Sequence, residues 1–93
     1  MNIEHFNELT EQTQKELIDY IKSHYSIQKS FNHKGVSSYS LKQHFISTFK
    51  TNNSEHITNL CFKEAMEYCG FKSKQIEHQD DYIFNVRLLK SSF

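Results

Sequence analysis

The stretch Ile57–Leu89, ITNLCFKEAMEYCGFKSKQIEHQDDYIFNVRLL, decides the fold. Apolar residues recur at helical spacing in its first part, which predicts a helix that starts at Thr58 or Asn59, either of which can cap it. Gly70 then stands where a residue in the left-handed conformation commonly ends a helix. After Gly70 the period of the pattern changes from about 3.6 to about 2 residues, which predicts a β-hairpin with its turn at HQDD, residues 78–81.

Two further helices precede this stretch. The first is predicted over Glu11–Tyr25 and the second over Ser38–Lys50, each from a single apolar stripe at helical spacing. The connection Ser26–Val36 shows no periodicity and contains a glycine, which predicts a loop. The polar segment TNNSEH, residues 51–56, predicts the turn between the second and third helices.

This order of elements predicts an α+β fold, a winged helix-turn-helix with three helices followed by a C-terminal β-hairpin. A lone hairpin is marginally stable in water, so it needs a helical surface to lie on, and its tip is then left projecting. A chain of 93 residues has room for one modest core, and we therefore expect a single domain over residues 1–93.

Composition and targeting signals narrow the class of protein. Aromatic residues make up 14% of the chain, which argues against disorder. No run of 18 apolar residues is present and the N-terminus lacks the pattern of a signal peptide, so we expect no contact with a membrane and a cytoplasmic location. Cys61 and Cys69 fall in one predicted helix, about 12 Å apart, which is too far for a disulfide.

No constellation typical of an enzyme occurs in the sequence. The six histidines form no HxH, HxxxH or HExxH motif, CxxC is absent, and two glycines are too few for a phosphate-binding loop. Asp80 and Asp81 are adjacent, but at a turn such residues are typically solvated turn formers. The sequence therefore predicts a protein that is not an enzyme and that holds no metal ion or cofactor.

Charge is unevenly distributed although the formal net charge is zero. Residues 1–20 sum to −4, residues 21–74 to +5 and the remainder to −1. The middle of the chain can therefore present a basic face while the first helix is acidic. Ordinary scatter of surface charge explains the asymmetry equally well.

Cations and aromatic rings alternate along the predicted surface. In a helix-turn-helix protein the recognition helix contacts DNA, but Glu64 and Glu67 on the exposed face of the third helix repel phosphate, which disfavours duplex recognition. Lysines spaced by rings suit a single strand, because bases stack on the rings while the backbone follows the charge. The candidate nucleic-acid-binding residues are Tyr39, Lys42, His44, Asn59, Lys63, Lys72, Lys74, Tyr82 and Arg87.

The segments SSYSLKQHF, ITNLCFKEAMEYCGF and DYIFNV resemble a family of small winged-helix proteins carried on mobile elements of Gram-positive bacteria. The resemblance covers residues 37–87, with Gln43 departing from the family pattern and His44 displaced by one position. The positions that match are Ser38, Tyr39, Leu41, Lys42, Thr58, Asn59, Phe62, Lys63, Ala65, Met66, Gly70 and Phe71.

Within this family, the members that the chain resembles are single-stranded DNA-binding proteins encoded beside replicative helicases on staphylococcal cassette chromosome elements. The resemblance implies that the chain binds single-stranded DNA and has a replicative helicase as its partner. It carries over four site residues, Tyr39, Lys42, Asn59 and Lys63.

The sequence thus predicts a non-enzymatic protein that binds single-stranded DNA in the replication of a mobile genetic element. Two alternatives stay open. The neutral net charge and the acidic third helix also fit a protein–protein interaction module, either a helicase accessory factor or an element-encoded inhibitor. A sequence-specific regulator that binds duplex DNA would usually dimerise, and no helix in the sequence shows a second apolar face.

Overall fold

The structure, a computed structural model, describes residues 4–34, 36–49 and 57–89. It has an α+β fold with three helices, α1 (Glu11–His24), α2 (Ser38–Phe49) and α3 (Asn59–Tyr68), and a short N-terminal 3₁₀ helix, Phe6–Glu8. Its four strands are β1 (Tyr25–Ile27), β2 (Ser73–Gln75), β3 (Tyr82–Phe84) and β4 (Val86–Leu88). The predicted α+β class and the three helices are confirmed, while the turn predicted at residues 51–56 lies outside the described residues. Within the described part of the chain, no helix has the length and apolarity needed to cross a membrane.

The strands form two small antiparallel sheets that are joined at Asn85. β2 pairs with β3 as the predicted hairpin, and β4 pairs with β1. Asn85 lies between β3 and β4, where its side-chain Oδ1 accepts a hydrogen bond from the backbone N of Lys72 at 2.7 Å. The backbone O of Asn85 accepts from the backbone N of Gln28 at 3.0 Å. This residue therefore connects the hairpin to the segment that follows β1.

Strand β1 corrects the prediction of a loop over the whole of Ser26–Val36. Ser26 and Ile27 belong to β1, and α1 ends at His24, one residue earlier than predicted. A strand of three residues is too short to show a period of two. Its partner β4 lies near the far end of the described chain, so the local pattern gave no sign of the pairing.

The core lies between the three helices and the inner face of the strands. The predicted core stripe of α3 is largely confirmed, since Phe62, Ala65 and Met66 are 0% exposed, although Cys69 is only half-buried. From the sheets, Phe84 and Val86 are also 0% exposed. Each large apolar side chain that is fully buried contributes about 1.5–3 kcal/mol, so packing of the helices on these strand residues holds the domain together.

Side chains and one glycine fix the ends of α3. The Oγ1 of Thr58 accepts a hydrogen bond from the backbone N of Cys61 at 3.0 Å and caps the start of the helix. Gly70 follows the helix with a φ of 97°, a conformation that residues with a β-carbon rarely adopt. Cys61 and Cys69 are both free thiols, as their spacing predicts.

Candidate nucleic-acid interface

The N-terminal ends of α2 and α3 and the start of β3 surround an open groove of about 420 Å³. Lys42 of α2, Asn59 of α3 and Tyr82 of β3 line this groove, and the rest of its lining is Glu4, Thr58, Leu60 and Asp80. Tyr39 adjoins it because its ring lies under the Lys42 ammonium, and Lys63 adjoins it because its ammonium lies over the Tyr82 ring. The structure thus brings together at one groove five of the nine residues that the sequence singles out.

The first lysine–tyrosine pair belongs to α2. The Nζ of Lys42 lies 5.0 Å from the centre of the Tyr39 ring, and this ring is 53% exposed. The sequence predicts an exposed Lys42, whereas the structure leaves only 8% of the residue exposed. Burial lowers the pKa of the Lys42 ammonium, and the nearby negative charge of Asp81 opposes that shift. A partly desolvated ammonium interacts more strongly with a ring than an exposed one does.

The second pair repeats this chemistry between α3 and β3. The Nζ of Lys63 lies 5.1 Å from the centre of the half-buried Tyr82 ring. The same ammonium lies 3.6 Å from the Oε1 of Glu67, one helical turn further along α3. Lys63 is therefore held between a ring and a carboxylate.

Asp81 connects the two pairs. Its Oδ1 accepts hydrogen bonds from the backbone N of Tyr39 at 3.0 Å, from the backbone N of Tyr82 at 3.0 Å and from the hydroxyl of Ser38 at 2.5 Å. Burial raises the pKa of Asp81, but these hydrogen bonds outweigh burial and hold the pKa below its usual value. The interpretation of Asp81 as a solvated turn residue is wrong, because its carboxylate caps the N-terminus of α2, where the helix dipole favours negative charge.

Asn59, the first residue of α3, has one side-chain atom that forms a hydrogen bond and one that does not. Its Nδ2 donates to the backbone O of Asp80 at 2.9 Å. Its Oδ1 is buried and has no hydrogen-bond partner among the described residues. Buried acceptors normally find a donor, so this oxygen is an unsatisfied polar atom at the start of α3.

The two carboxylates of α3 that disfavour phosphate binding form hydrogen bonds with other parts of the protein. The Oε1 of Glu64 accepts from the backbone N of Phe6 at 2.9 Å, and its Oε2 lies 3.2 Å from the Nδ1 of His5. The hydrogen bond and the charge of Glu64 raise the pKa of His5. Glu67 accepts from the hydroxyl of Ser73 at 2.7 Å. Glu64 therefore holds the N-terminal segment against α3, and Glu67 ties α3 to β2.

The other four predicted residues lie outside both the lining of the groove and the two lysine–tyrosine pairs. Lys72, Lys74 and Arg87 are exposed on or next to β2 and β4, and His44 is exposed on α2. In the described residues, no three His, Cys, Asp or Glu side chains come together as a site for a metal ion.

Sequence reasoning missed Ser38, Asp81 and Glu64 as residues that build this interface. Ser38 and Asp81 are separated by 43 positions in the chain, and Glu64 lies 58 positions from the backbone N that it binds. No local pattern reports contacts over such distances. The one available signal was a carboxylate immediately before a strand, which is also common in ordinary turns.

The chain matches no protein-family model, no curated protein and no solved structure. The function of the groove is therefore inferred from its own residues.

Proposed function

We propose that this protein is a non-enzymatic winged-helix domain that binds single-stranded DNA during replication of a mobile genetic element. The order α1, β1, α2, α3 and hairpin, with β1 paired to the last strand, is typical of winged-helix domains and supports the fold. The mobile-element setting and a replicative helicase as partner are supported by the family resemblance alone.

The observation that carries the proposal is the pair of lysine–tyrosine contacts beside one groove. Exposed aromatic rings bind successive bases by stacking, at about 1–3 kcal/mol for each base, whatever the sequence. Lys42 and Lys63 place a cation next to each ring, where it can neutralise the phosphate of the stacked nucleotide. The volume of about 420 Å³ is that of a small ligand pocket and has room for about one nucleotide.

The N-terminal segment favours a single strand over a duplex. A recognition helix must insert its exposed face into the major groove. In this protein Glu64 of α3 holds the backbone of Phe6, and the Thr58 hydroxyl donates to the backbone O of Glu4 at 3.2 Å. A duplex would have to displace this segment from the exposed face of α3, whereas a single strand needs only the groove, whose lining includes Glu4 of the same segment.

Fluorescence anisotropy with a labelled oligonucleotide of roughly 12 nucleotides, single-stranded and duplex, tests the proposal. Substitution Tyr39→Leu removes the ring and is expected to weaken single-strand binding about tenfold, since one stacking contact is worth about 1–3 kcal/mol. Tyr39→Phe keeps the ring and is the matched control, for which we expect nearly the wild-type affinity. Equal affinities for the Leu variant and the wild type would contradict the stacking role.

A protein–protein interaction module is the second candidate function. It is favoured by Tyr68, which ends α3 with 72% of its surface exposed beside an acidic α1. The anisotropy experiment separates the candidates, because a protein module would bind neither oligonucleotide at low salt. Tighter binding to the duplex than to the single strand would instead favour a duplex-binding regulator.

A further inference from the structure

The N-terminal strap, residues 4–8, lies across α3 and is held there mainly by one side chain of that helix. The Oε1 of Glu64 accepts a hydrogen bond from the backbone N of Phe6 at 2.9 Å. The Oε2 of the same carboxylate lies 3.2 Å from the Nδ1 of His5. The Phe6 ring adds one aromatic contact, because its centre lies 5.9 Å from that of Tyr68. A single carboxylate therefore makes both of the polar contacts that join this part of the strap to α3.

The strap can leave α3 without disturbing the core. Four of its five residues are exposed, and the fifth, Phe6, is half-buried. The next residue, Leu9, is 3% exposed and belongs to the core. The side-chain amide of Gln14 holds this point of the chain, since it donates to the backbone O of Leu9 at 2.8 Å and only weakly to that of Asn7 at 3.5 Å. A segment with few buried apolar contacts and solvent-exposed hydrogen bonds opens at a low cost in free energy.

The closed strap places a carboxylate in the lining of the nucleic-acid groove. The backbone O of Glu4 accepts a hydrogen bond from the hydroxyl of Thr58 at 3.2 Å, and both residues line the groove. The charged residues of the described lining are Lys42, Glu4 and Asp80. A phosphate that enters the groove thus meets two carboxylates and one ammonium, and the departure of Glu4 leaves one of each.

We infer that the strap is an autoinhibitory gate: closed on α3, it keeps the Glu4 carboxylate beside the groove, and its release opens the groove to a single strand. This inference rests on the proposed binding of single-stranded DNA and adds an inhibited state to it. A ligand shifts such an equilibrium only if it binds one state better than the other. The carboxylate supplies that difference, because its negative charge repels phosphate in the closed state alone.

His5 makes the gate sensitive to pH. Glu64 faces His5 from α3, Glu4 and Glu8 face it from the strap itself, and Glu67 lines the same surface groove as His5. The hydrogen bond and the charge of Glu64 raise the pKa of His5 above its ordinary value of 6.5. Protonation of His5 therefore favours the closed strap. This contribution is fully present below the ordinary pKa and is lost as the pH rises through the raised one.

A double-mutant cycle in the anisotropy assay tests the gate. Glu4→Gln should tighten single-strand binding about two- to fourfold, the effect of removing one like charge about 5–8 Å from a phosphate in water. Glu64→Ala frees the strap and should tighten binding as well. The double variant should bind no more tightly than Glu64→Ala alone, because Glu4 has then already left the groove. Glu11→Gln, which removes an exposed carboxylate outside the lining of the groove, is the control and should leave the affinity unchanged in both backgrounds.

The pH dependence separates a gate from a simple charge. At about pH 5.5, His5→Gln should bind the single strand about twofold or more tightly than the wild type, and at about pH 8 the two should bind alike. A histidine that acted only as a positive charge would attract the strand, so its removal would weaken binding in acid. His33→Gln is the matched control, because it removes an exposed histidine outside the strap and should not tighten binding at either pH. Weaker binding by His5→Gln in acid would overturn the role of His5.

The amide resonance of Phe6 in the ¹⁵N-labelled protein reports the strap directly. As the single strand is added to the wild type, this resonance should move towards its position in the free Glu64→Ala variant. Circular dichroism and a thermal melt establish that every variant is folded. A strand that binds while the Phe6 amide stays in place, or additive effects of Glu4→Gln and Glu64→Ala, would overturn the gate and leave single-strand binding standing. No binding by the wild type or by either variant would overturn the gate and the proposed function together.

Discussion

Replacing Asp81 by alanine should destabilise the domain more than any other single change at the interface. One carboxylate oxygen accepts hydrogen bonds from the backbone of Tyr39, the backbone of Tyr82 and the hydroxyl of Ser38. Asp81→Ala removes all three at once. The N-terminus of α2 loses the acceptor of the Tyr39 amide and keeps only the cap from Ser37, while β3 stays attached to that helix only through the hydrogen bond from the backbone N of Tyr82 to the Ser38 hydroxyl.

The expected magnitude follows from the groups left without partners. Loss of an N-terminal helix cap costs about 0.5–2 kcal/mol. Ser38 is 0% exposed, and a buried donor without an acceptor costs about 1–3 kcal/mol. The two costs share the same carboxylate and do not simply add, so we expect a total loss of about 2–3 kcal/mol. For a domain of this size that corresponds to a fall in the melting temperature of roughly 8–24 °C.

Thermal denaturation followed by circular dichroism measures this loss. Asp80→Ala is the matched control, because it removes the neighbouring carboxylate, which is exposed, and should change the stability by less than about 0.5 kcal/mol. Equal melting temperatures for the Asp81 and Asp80 variants would refute the assignment of Asp81 as the cap of α2.

The same carboxylate should make stability depend on pH in the acid range. The pKa of Asp81 in the folded protein lies below its usual value, so its contribution to stability is fully present above the pKa in the unfolded chain, about 3.9. The contribution is lost as the pH falls through the folded pKa. The free energy of unfolding of Asp81→Asn should therefore differ most from the wild type near neutral pH, and the two should converge in strong acid. An undiminished difference in strong acid would mean that the charge of Asp81 is not the cause.

Three further substitutions test other parts of the structure. Lys72→Glu with Lys74→Glu should weaken single-strand binding and lower the slope of log K against log salt by up to about 1.4, since each phosphate contact on a single strand contributes about 0.7. An unchanged affinity and slope in a salt titration would remove these lysines from the interface. Asn85→Ala leaves the backbone N of Lys72 without its acceptor and should cost about 1–3 kcal/mol in urea denaturation, whereas the exposed Gln75→Ala should cost almost nothing. Gly70→Ala should cost about 1–2 kcal/mol in the same assay, because alanine at a φ of 97° is strained, and a stability equal to that of the wild type would contradict the left-handed end of α3.

Features that depend on neighbouring residues were predictable from the sequence. The apolar spacing of α3, its cap at Thr58 and its end at Gly70 all lie within one short segment, and each appears in the structure where the pattern indicates. The hairpin that follows was also predicted, since alternation over Tyr82–Val86 is a local signal. These elements fix the fold class.

Features that depend on distant contacts were not predictable. β1 exists because β4 pairs with it, and three residues carry no period of their own. The sequence pattern predicts Lys42 as a surface lysine on an amphipathic helix, but packing against other elements leaves it only 8% exposed. From the sequence, Glu64 is a charge on the third helix that repels phosphate, and only the structure shows that the N-terminal segment binds it.

The most direct measurement is a titration of the ¹⁵N-labelled protein with a short single-stranded oligonucleotide, followed by the chemical shifts of its amide groups. If the strand lies in the groove, the largest shifts will occur at the backbone amides of Tyr39 and Tyr82 and at the side-chain amide of Asn59, with little change along α1. No shifts, or shifts confined to α1 and the residues next to Tyr68, would contradict binding at the groove.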